Sequence, residues 1–231
     1  MSLKLLAVDT STEACSAALS IDGEISRQYQ VAPREHTHLI LNMIERLLND
    51  AGLSSKDIDV IAFARGPGSF MGVRVAAGVV QGIAFAHSIP VVPVSSLAAM
   101  ADVAMQETGK TQVLTAIDAR MGEVYWGAYV QNQAGQIVLQ GEECVVAPAQ
   151  APIPAQGEWV TAGTGWGSYA EAMKPALGER CIVSLDECFP SAEAVARLAV
   201  PVYEHGGAVT AAQAIPVYLR DNVARKPKAA S

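Results

Sequence analysis

The sequence predicts an α/β protein assembled from two copies of one hairpin-and-helix unit, and three observations carry that prediction. An apolar strand ending in a carboxylate occurs twice: Leu5-Leu6-Ala7-Val8-Asp9 is matched 109 residues later by Leu114-Thr115-Ala116-Ile117-Asp118. Each is followed by two further strand-like runs around a turn, Asp22-Gly23 in the first half and Ala134-Gly135 in the second, with the turn glycines 14 and 17 residues after their aspartates. The composition can fill the cores that such a duplication needs, because 51% of the 231 residues are hydrophobic and only 17% charged, far from the balance of a disordered chain. A chain of this length supports one large unit or two small ones, and the repeat places the division at 1–108 and 109–231.

In chain order, the strand to Asp9 leads to a second through Ala17-Ala18-Leu19-Ser20 and a third from Glu24 to Val31. His38 to Ala51 carries Leu39, Ile40, Met43, Ile44, Leu47 and Leu48 at helical spacing, with Gly52 as the stop. Ile58 to Ala64 reads as a buried strand, Arg65-Gly66-Pro67-Gly68-Ser69-Phe70 as a tight loop, and Met71 to Ala86 as a helix. A strand from Pro90 to Val94 follows, then a helix capped by Ser95 or Ser96 and running to about Glu107. The second half continues with strands at Glu123 to Val130, Gln136 to Val145 and Glu158 to Ala162. Pro148 to Gly157 is expected as a surface loop, helices near Gly167 to Ala176 and from Ser191 towards Glu204, and Pro201 as a kink or stop. The chain ends in a basic tail containing Arg225, Lys226 and Lys228.

Charge and cysteine usage exclude several functions. Sixteen Lys plus Arg against 23 Asp plus Glu leave a net charge of −7, the wrong sign for a chain that grips nucleic acid over its whole surface. The four cysteines form no C-x-x-C pair, and the apolar run Leu3 to Val8 is too short for a signal peptide, so a reduced cytoplasmic protein is expected. Gln81, His87, Pro90 and Pro93 interrupt the apolar stretch from Val75 to Val94, and a helix from Gly72 to Ala86 reaches about 22 Å, short of a bilayer core of about 30 Å. No membrane segment is expected. The histidines are His36, His38, His87 and His205; His36 and His38 stand two apart, which on a helix points the rings in different directions, so no metal site is expected. Ser69 lacks the Gly-x-Ser-x-Gly elbow and reads as a helix cap rather than a nucleophile.

The helix from Met71 to Ala86 is the most suggestive segment. Gly72, Ala76, Ala77, Gly78, Gly82 and Ala86 fall at or near spacings of four, a smooth stripe against which another helix can pack closely, while Val75, Val79, Val80, Ile83 and Phe85 leave little polar surface anywhere. Such a helix must be covered on every side. The residues leave open whether the cover is internal or a partner's.

Four pieces of sequence resemble the TsaB (YeaZ) family: Asp9-Thr10-Ser11-Thr12-Glu13, Gly66-Pro67-Gly68-Ser69-Phe70-Met71-Gly72-Val73-Arg74, Asp118-Ala119-Arg120 with Glu123-Val124-Tyr125, and Pro216-Val217-Tyr218-Leu219-Arg220. Met71 departs from the family pattern, in which a threonine is expected. The resemblance implies an actin-like ATPase (ASKHA) fold of two RNase H-like lobes. It also implies a non-catalytic subunit of the bacterial complex that transfers threonylcarbamoyl to N6 of adenosine 37 in tRNAs reading ANN codons. The implied partners are the catalytic paralogue TsaD and the ATPase TsaE, with a homodimer when the paralogue is absent and tRNA reached only through the complex. The implied partner interface comprises Leu39, Ile40, Met43, Ile44, Leu47, Gly72, Val75, Ala76, Val79, Gly82 and Ile83.

Asp9 and Asp118 stand where actin-like ATPases place carboxylates for phosphates and a metal, and Thr10, Gly163 and Gly165 complete a candidate nucleotide cleft. Thr12, Glu13, Met121 and Glu123 crowd its two turns, so the cleft is expected to be degenerate, with no cofactor of its own. An active ATPase or phosphotransferase using Asp9 and Asp118 is the alternative, and a metallopeptidase a third reading.

Overall fold

A computed structural model describes residues 2–220 and gives each half of the chain its own sheet. The first contains β1 (Lys4–Asp9), β2 (Ala14–Ile21), β3 (Glu24–Val31), β4 (Val60–Ala64) and β5 (Val91–Val94) in the order β3-β2-β1-β4-β5. Asp22 and Gly23 both take positive φ (52° and 87°), the tight turn that pairs Ile21 with Glu24 and closes the β2–β3 hairpin. β1 to β3 are antiparallel, whereas β1, β4 and β5 are parallel because helices connect them: α1 (His36–Asp50) precedes β4 and α2 (Phe70–His87) precedes β5.

The second sheet repeats this order. It contains β6 (Gln112–Asp118), β7 (Val124–Gln131), β8 (Ile137–Leu139), β9 (Cys144–Val146), β10 (Trp159–Ala162) and β11 (Cys181–Leu185), arranged β11-β10-β6-β7-β8 with β9 on the other half of β7's edge. Thus β6 corresponds to β1, β7 to β2, β10 to β4 and β11 to β5. The expected strand from Gln136 to Val145 is two short ones, broken where Gly141 takes φ 80°. β11 is a strand with no clear sequence signal, being only five residues long and fully burying none of them. The helix expected near Gly167 begins earlier as α4 (Thr164–Ser168) and continues as α5 (Ala170–Leu177). Trp166 on α4 packs against Trp126 at 5.7 Å and donates its indole N–H to the Leu114 carbonyl, fixing α4 on β6.

Two helices cross between the halves. α3 (Ser96–Thr108) follows β5 yet packs on β6, β7 and β10 of the second sheet, and α6 (Ala192–Glu204) follows β11 yet covers β1, β2, β4 and β5 of the first. The division at 108/109 therefore separates the sheets but not the cores, since each lobe is completed by a helix from the other half. The two helices also pack on each other and share an ion network. Arg197 on α6 holds the buried Asp102 of α3 at 2.6 Å and Glu193 at 2.8 Å, and Glu193 is shared with Arg27 on β3. Pro201 has no N–H to donate one turn back but does not end α6, which runs to Glu204.

α1 and α2 lie together on the remaining face of the first sheet, α1 on β2 and β3, α2 on β4 and β1. His36 opens α1 instead of preceding it and is buried, its Nε2 3.2 Å from the Ala14 carbonyl oxygen, while His38 is exposed.

Candidate functional site: the cleft between the lobes and the open face of α2

The turns after β1 and β6 both open onto the cleft between the lobes, and the aspartates that end the two strands meet different fates. Asp9 is buried: its Oδ1 accepts from the Ser11 N–H and hydroxyl, both at 2.7 Å, and its Oδ2 has no partner among the described residues. Burial pushes its carboxyl up to about 6, against the pull of the Ser11 bonds. The start of α2 seals this end. The Ser69 N–H donates to the Ser11 carbonyl at 2.7 Å, the Thr10 hydroxyl donates to the Gly72 carbonyl at 2.7 Å, and a Cβ on Gly72 would stand 2.0 Å from the Thr10 oxygen. Thr10, expected at a nucleotide, instead joins two backbone segments in the interior.

Asp118 lines the cleft but is fully engaged. Its Oδ1 accepts from the Arg120 N–H at 2.8 Å and the Tyr169 hydroxyl at 3.2 Å, and its Oδ2 from the Arg120 guanidinium at 3.0 Å. Arg120 and Met121 both take positive φ (62° and 57°) in the β6–β7 turn, which throws the Arg120 side chain into the cleft, 77% exposed. Its other nitrogen approaches Glu13 of the β1–β2 turn at 3.9 Å, linking the two duplicated turns. Gly163 and Gly165 do not face the cleft. A Cβ on Gly163 would lie 2.4 Å from the Ala116 carbonyl oxygen and one on Gly165 2.9 Å from the Ala116 Cβ, so both glycines serve the close approach of α4 to β6. Of the five residues expected at a nucleotide, only Asp118 reaches the cleft wall.

The cleft, a space of about 790 Å³, gathers cationic and aromatic side chains on one wall. Arg34, Arg74, Arg120 and Arg220 surround it, opposed by Glu13 and Asp118. The Arg74 guanidinium lies 3.4 Å from the centre of the Phe70 ring, and the Tyr218 ring stands 6.1 Å from Phe70. Tyr218 belongs to a strap across both lobes. The Val217 N–H donates to the Arg65 carbonyl in the first lobe, and Arg220 reaches Glu123 in the second, Nε to Oε2 at 3.0 Å, and the Arg120 carbonyl at 3.3 Å. Arg220 thus serves the strap, and Arg225, Lys226 and Lys228 of the basic tail lie outside the described residues. Sequence reasoning missed Phe70, Arg74 and Tyr218 as site residues. The usable signal was the four-residue spacing of Phe70 and Arg74, which stacks them on one helix face.

The second candidate is the outer face of α2, capped at its start by Ser69, whose hydroxyl accepts from the Gly72 N–H. The inner stripe of Gly72, Ala76, Val80 and Ala84 is buried against the sheet, while Met71, Arg74, Gly78, Gly82 and Phe85 face outward, with Val75, Val79 and Ile83 at the margin. A Cβ on Gly78 or Gly82 meets nothing within 4 Å, which leaves a shallow groove beside Phe85, 82% exposed. Although α2 has the length and apolarity of a membrane span, its inner stripe is locked into the fold. Several residues expected at a partner interface are instead core. Ile40, Met43, Ile44 and Leu47 are buried within the chain because α1 has a single apolar face and the sheet takes it, and Gly72 and Ala76 because they lie on the inner stripe of α2. Leu39, Val75, Val79, Gly82 and Ile83 remain at or beside the open face.

Two duplicated lobes that exchange helices and enclose a cleft define a protein of the actin-like class, here with the inner end of the cleft filled by its own backbone and side chains. Comparison with known proteins gives the family. Residues 25–228 match the family model described as TsaD, tRNA N6-adenosine threonylcarbamoyltransferase. The chain is 43% identical to the tRNA threonylcarbamoyladenosine biosynthesis protein TsaB of Escherichia coli over 97% of both chains, and 40% identical to that of Haemophilus influenzae over 97% of this chain and 96% of the relative. A solved structure described as YeaZ from Pseudomonas aeruginosa matches with a TM-score of 0.87 and 47% identity, covering 94% of this chain and 100% of that one. The chain belongs to the TsaB (YeaZ) family.

Proposed function

We propose that this protein is a non-catalytic subunit in the synthesis of threonylcarbamoyladenosine on tRNA, and that it binds a TsaD-family transferase through the outer face of α2. The observation that carries the reading is the open groove at Gly78 and Gly82, flanked by the exposed Met71 and Phe85 and the half-buried Val75, Val79 and Ile83. A helix of the partner can approach the α2 backbone closely there, and the apolar rim gains by leaving water. The biosynthetic role is that of the TsaB relatives, and the supporting rather than catalytic role is supported by the engagement of Asp118 and the sealing of Asp9. In this reading the same face pairs two copies when the transferase is absent. The ATPase TsaE and tRNA join the assembled complex in the cytoplasm.

Co-purification with the paralogue, followed by a transfer assay, tests the proposal. Gly82→Leu fills the groove and Val79→Asp places a carboxylate at the contact, at a cost of several kcal/mol if it is buried unpaired, or at least about a hundredfold in association. The expected result is folded monomer, no co-elution and no modified tRNA. Normal binding by both variants places the interface elsewhere.

A second reading, an active ATPase, is favoured by the retention of Asp9 and Asp118 at matching strand ends. ATP turnover abolished by Asp118→Asn would establish it.

A further inference from the structure

The cationic, aromatic cleft wall begins at Phe70 and Arg74 in the first turns of α2, before the Gly78–Gly82 groove of the docking face, and it contrasts with the rest of the chain. In a protein of net charge −7, four arginines converge on one cleft. Arg34 and Arg74 make no ion pair among the described residues, and Arg120 keeps a side chain 77% exposed despite its contacts to Asp118 and Glu13. Phe70 and Tyr218, large rings that a soluble surface normally covers, are 56% and 46% exposed on the same wall, with the Arg74 guanidinium stacked between ring and solvent. The Thr12 hydroxyl also lies on this wall, buried and without a partner among the described residues.

We propose that the mouth of this cleft contacts a single-stranded segment of RNA, with phosphate oxygens on Arg34, Arg74 and Arg120 and a base against the Phe70–Arg74–Tyr218 stack. The proposal rests on the reading that the protein works in tRNA modification, and adds where this subunit touches the RNA. Unpaired bases are held by stacking on aromatic rings and guanidinium planes beside cations that track the backbone, and this wall offers both. An acidic peptide would use the arginines but not the rings. About 790 Å³ accommodates one or two nucleotides, not a duplex. The acidic remainder of the chain makes the contact weak alone and useful within a complex.

The test is a fluorescence titration of a labelled tRNA anticodon stem-loop into the complex with the TsaD-family paralogue, repeated on the full chain alone. Three phosphate contacts contribute about a twentyfold loss of affinity between about 50 mM and 200 mM salt, and the Arg34→Gln/Arg120→Gln double variant reduces that contribution to about threefold. Tyr218→Ala weakens binding about tenfold, the loss of one base stack. Neither change lies on α2, so co-elution with the paralogue is expected to persist. Unchanged affinity and salt dependence with co-elution intact overturn the contact alone, whereas failure of the unaltered chain to co-elute overturns the functional reading, and the titration of the full chain alone then still decides the contact. Equal competition by AMP, or by poly-glutamate, overturns the RNA assignment in favour of a free nucleotide or a plain anion site. If a variant unfolds, ultraviolet cross-linking of the unaltered protein to the same RNA decides: cross-links on peptides containing Phe70 or Tyr218 support the proposal, and their absence overturns it.

Discussion

The Arg120 guanidinium lies 3.0 Å from the Asp118 carboxylate and the Arg120 amide 2.8 Å from its other oxygen, so the aspartate at the end of β6 is neutralised by its own turn. A carboxylate so held offers little to an incoming cation. The purified chain is therefore expected to hydrolyse ATP no faster than buffer, measured by phosphate release; turnover lost in Asp118→Asn would overturn that expectation.

Asp9 makes stability depend on pH. Its folded-state pKa is about 6 against an ordinary 3.8, so the folded chain binds this proton more tightly than the unfolded chain. The contribution is fully present below about pH 3.8 and is lost as pH rises through about 6, a swing of about 3 kcal/mol. Urea unfolding of the wild type and Asp9→Asn at pH 4 and pH 7 should show their stability difference moving by that order, with the wild type losing relative to the variant at the higher pH. A constant difference would refute it.

Two glycines ten residues apart on α2 should respond oppositely to alanine. Gly72→Ala drives a Cβ to within 2.0 Å of the Thr10 carbonyl oxygen, backbone that cannot easily move, and should destabilise by several kcal/mol or prevent folding. Gly82→Ala meets nothing within 4 Å and should stabilise the helix by about 1 kcal/mol. Thermal melts of both variants check the pair.

The exchanged helices are joined by an ion pair whose carboxylate is buried. Asp102 has a side chain only 7% exposed, and burial pushes its carboxyl up even with Arg197 at 2.6 Å. Arg197→Ala strands that carboxylate and should cost about 3 kcal/mol, while Asp102→Leu combined with Arg197→Met should recover most of it. Denaturant unfolding of the single and double variants measures the difference.

Much of the fold was legible in the chain. Apolar runs ending in Asp9 and Asp118, hairpin turns and helical spacing are local signals, and they placed most of the strands and helices and the duplication. β11 escaped because its five residues, none fully buried, carry no alternation, and the missed cleft residues escaped because Arg34, Phe70, Arg120 and Tyr218 come from four distant segments.

Sequence by itself determined that α2 is apolar around its circumference and that α1 has one apolar face, since both follow from residue spacing. Only the tertiary structure decided which side of α2 is core, because burial depends on where the sheet lies: Gly72 and Ala76 face it, Gly78 and Gly82 do not. The exchange of α3 and α6 was likewise invisible in the chain, for an apolar helix face specifies that a surface must cover it but not which sheet supplies that surface.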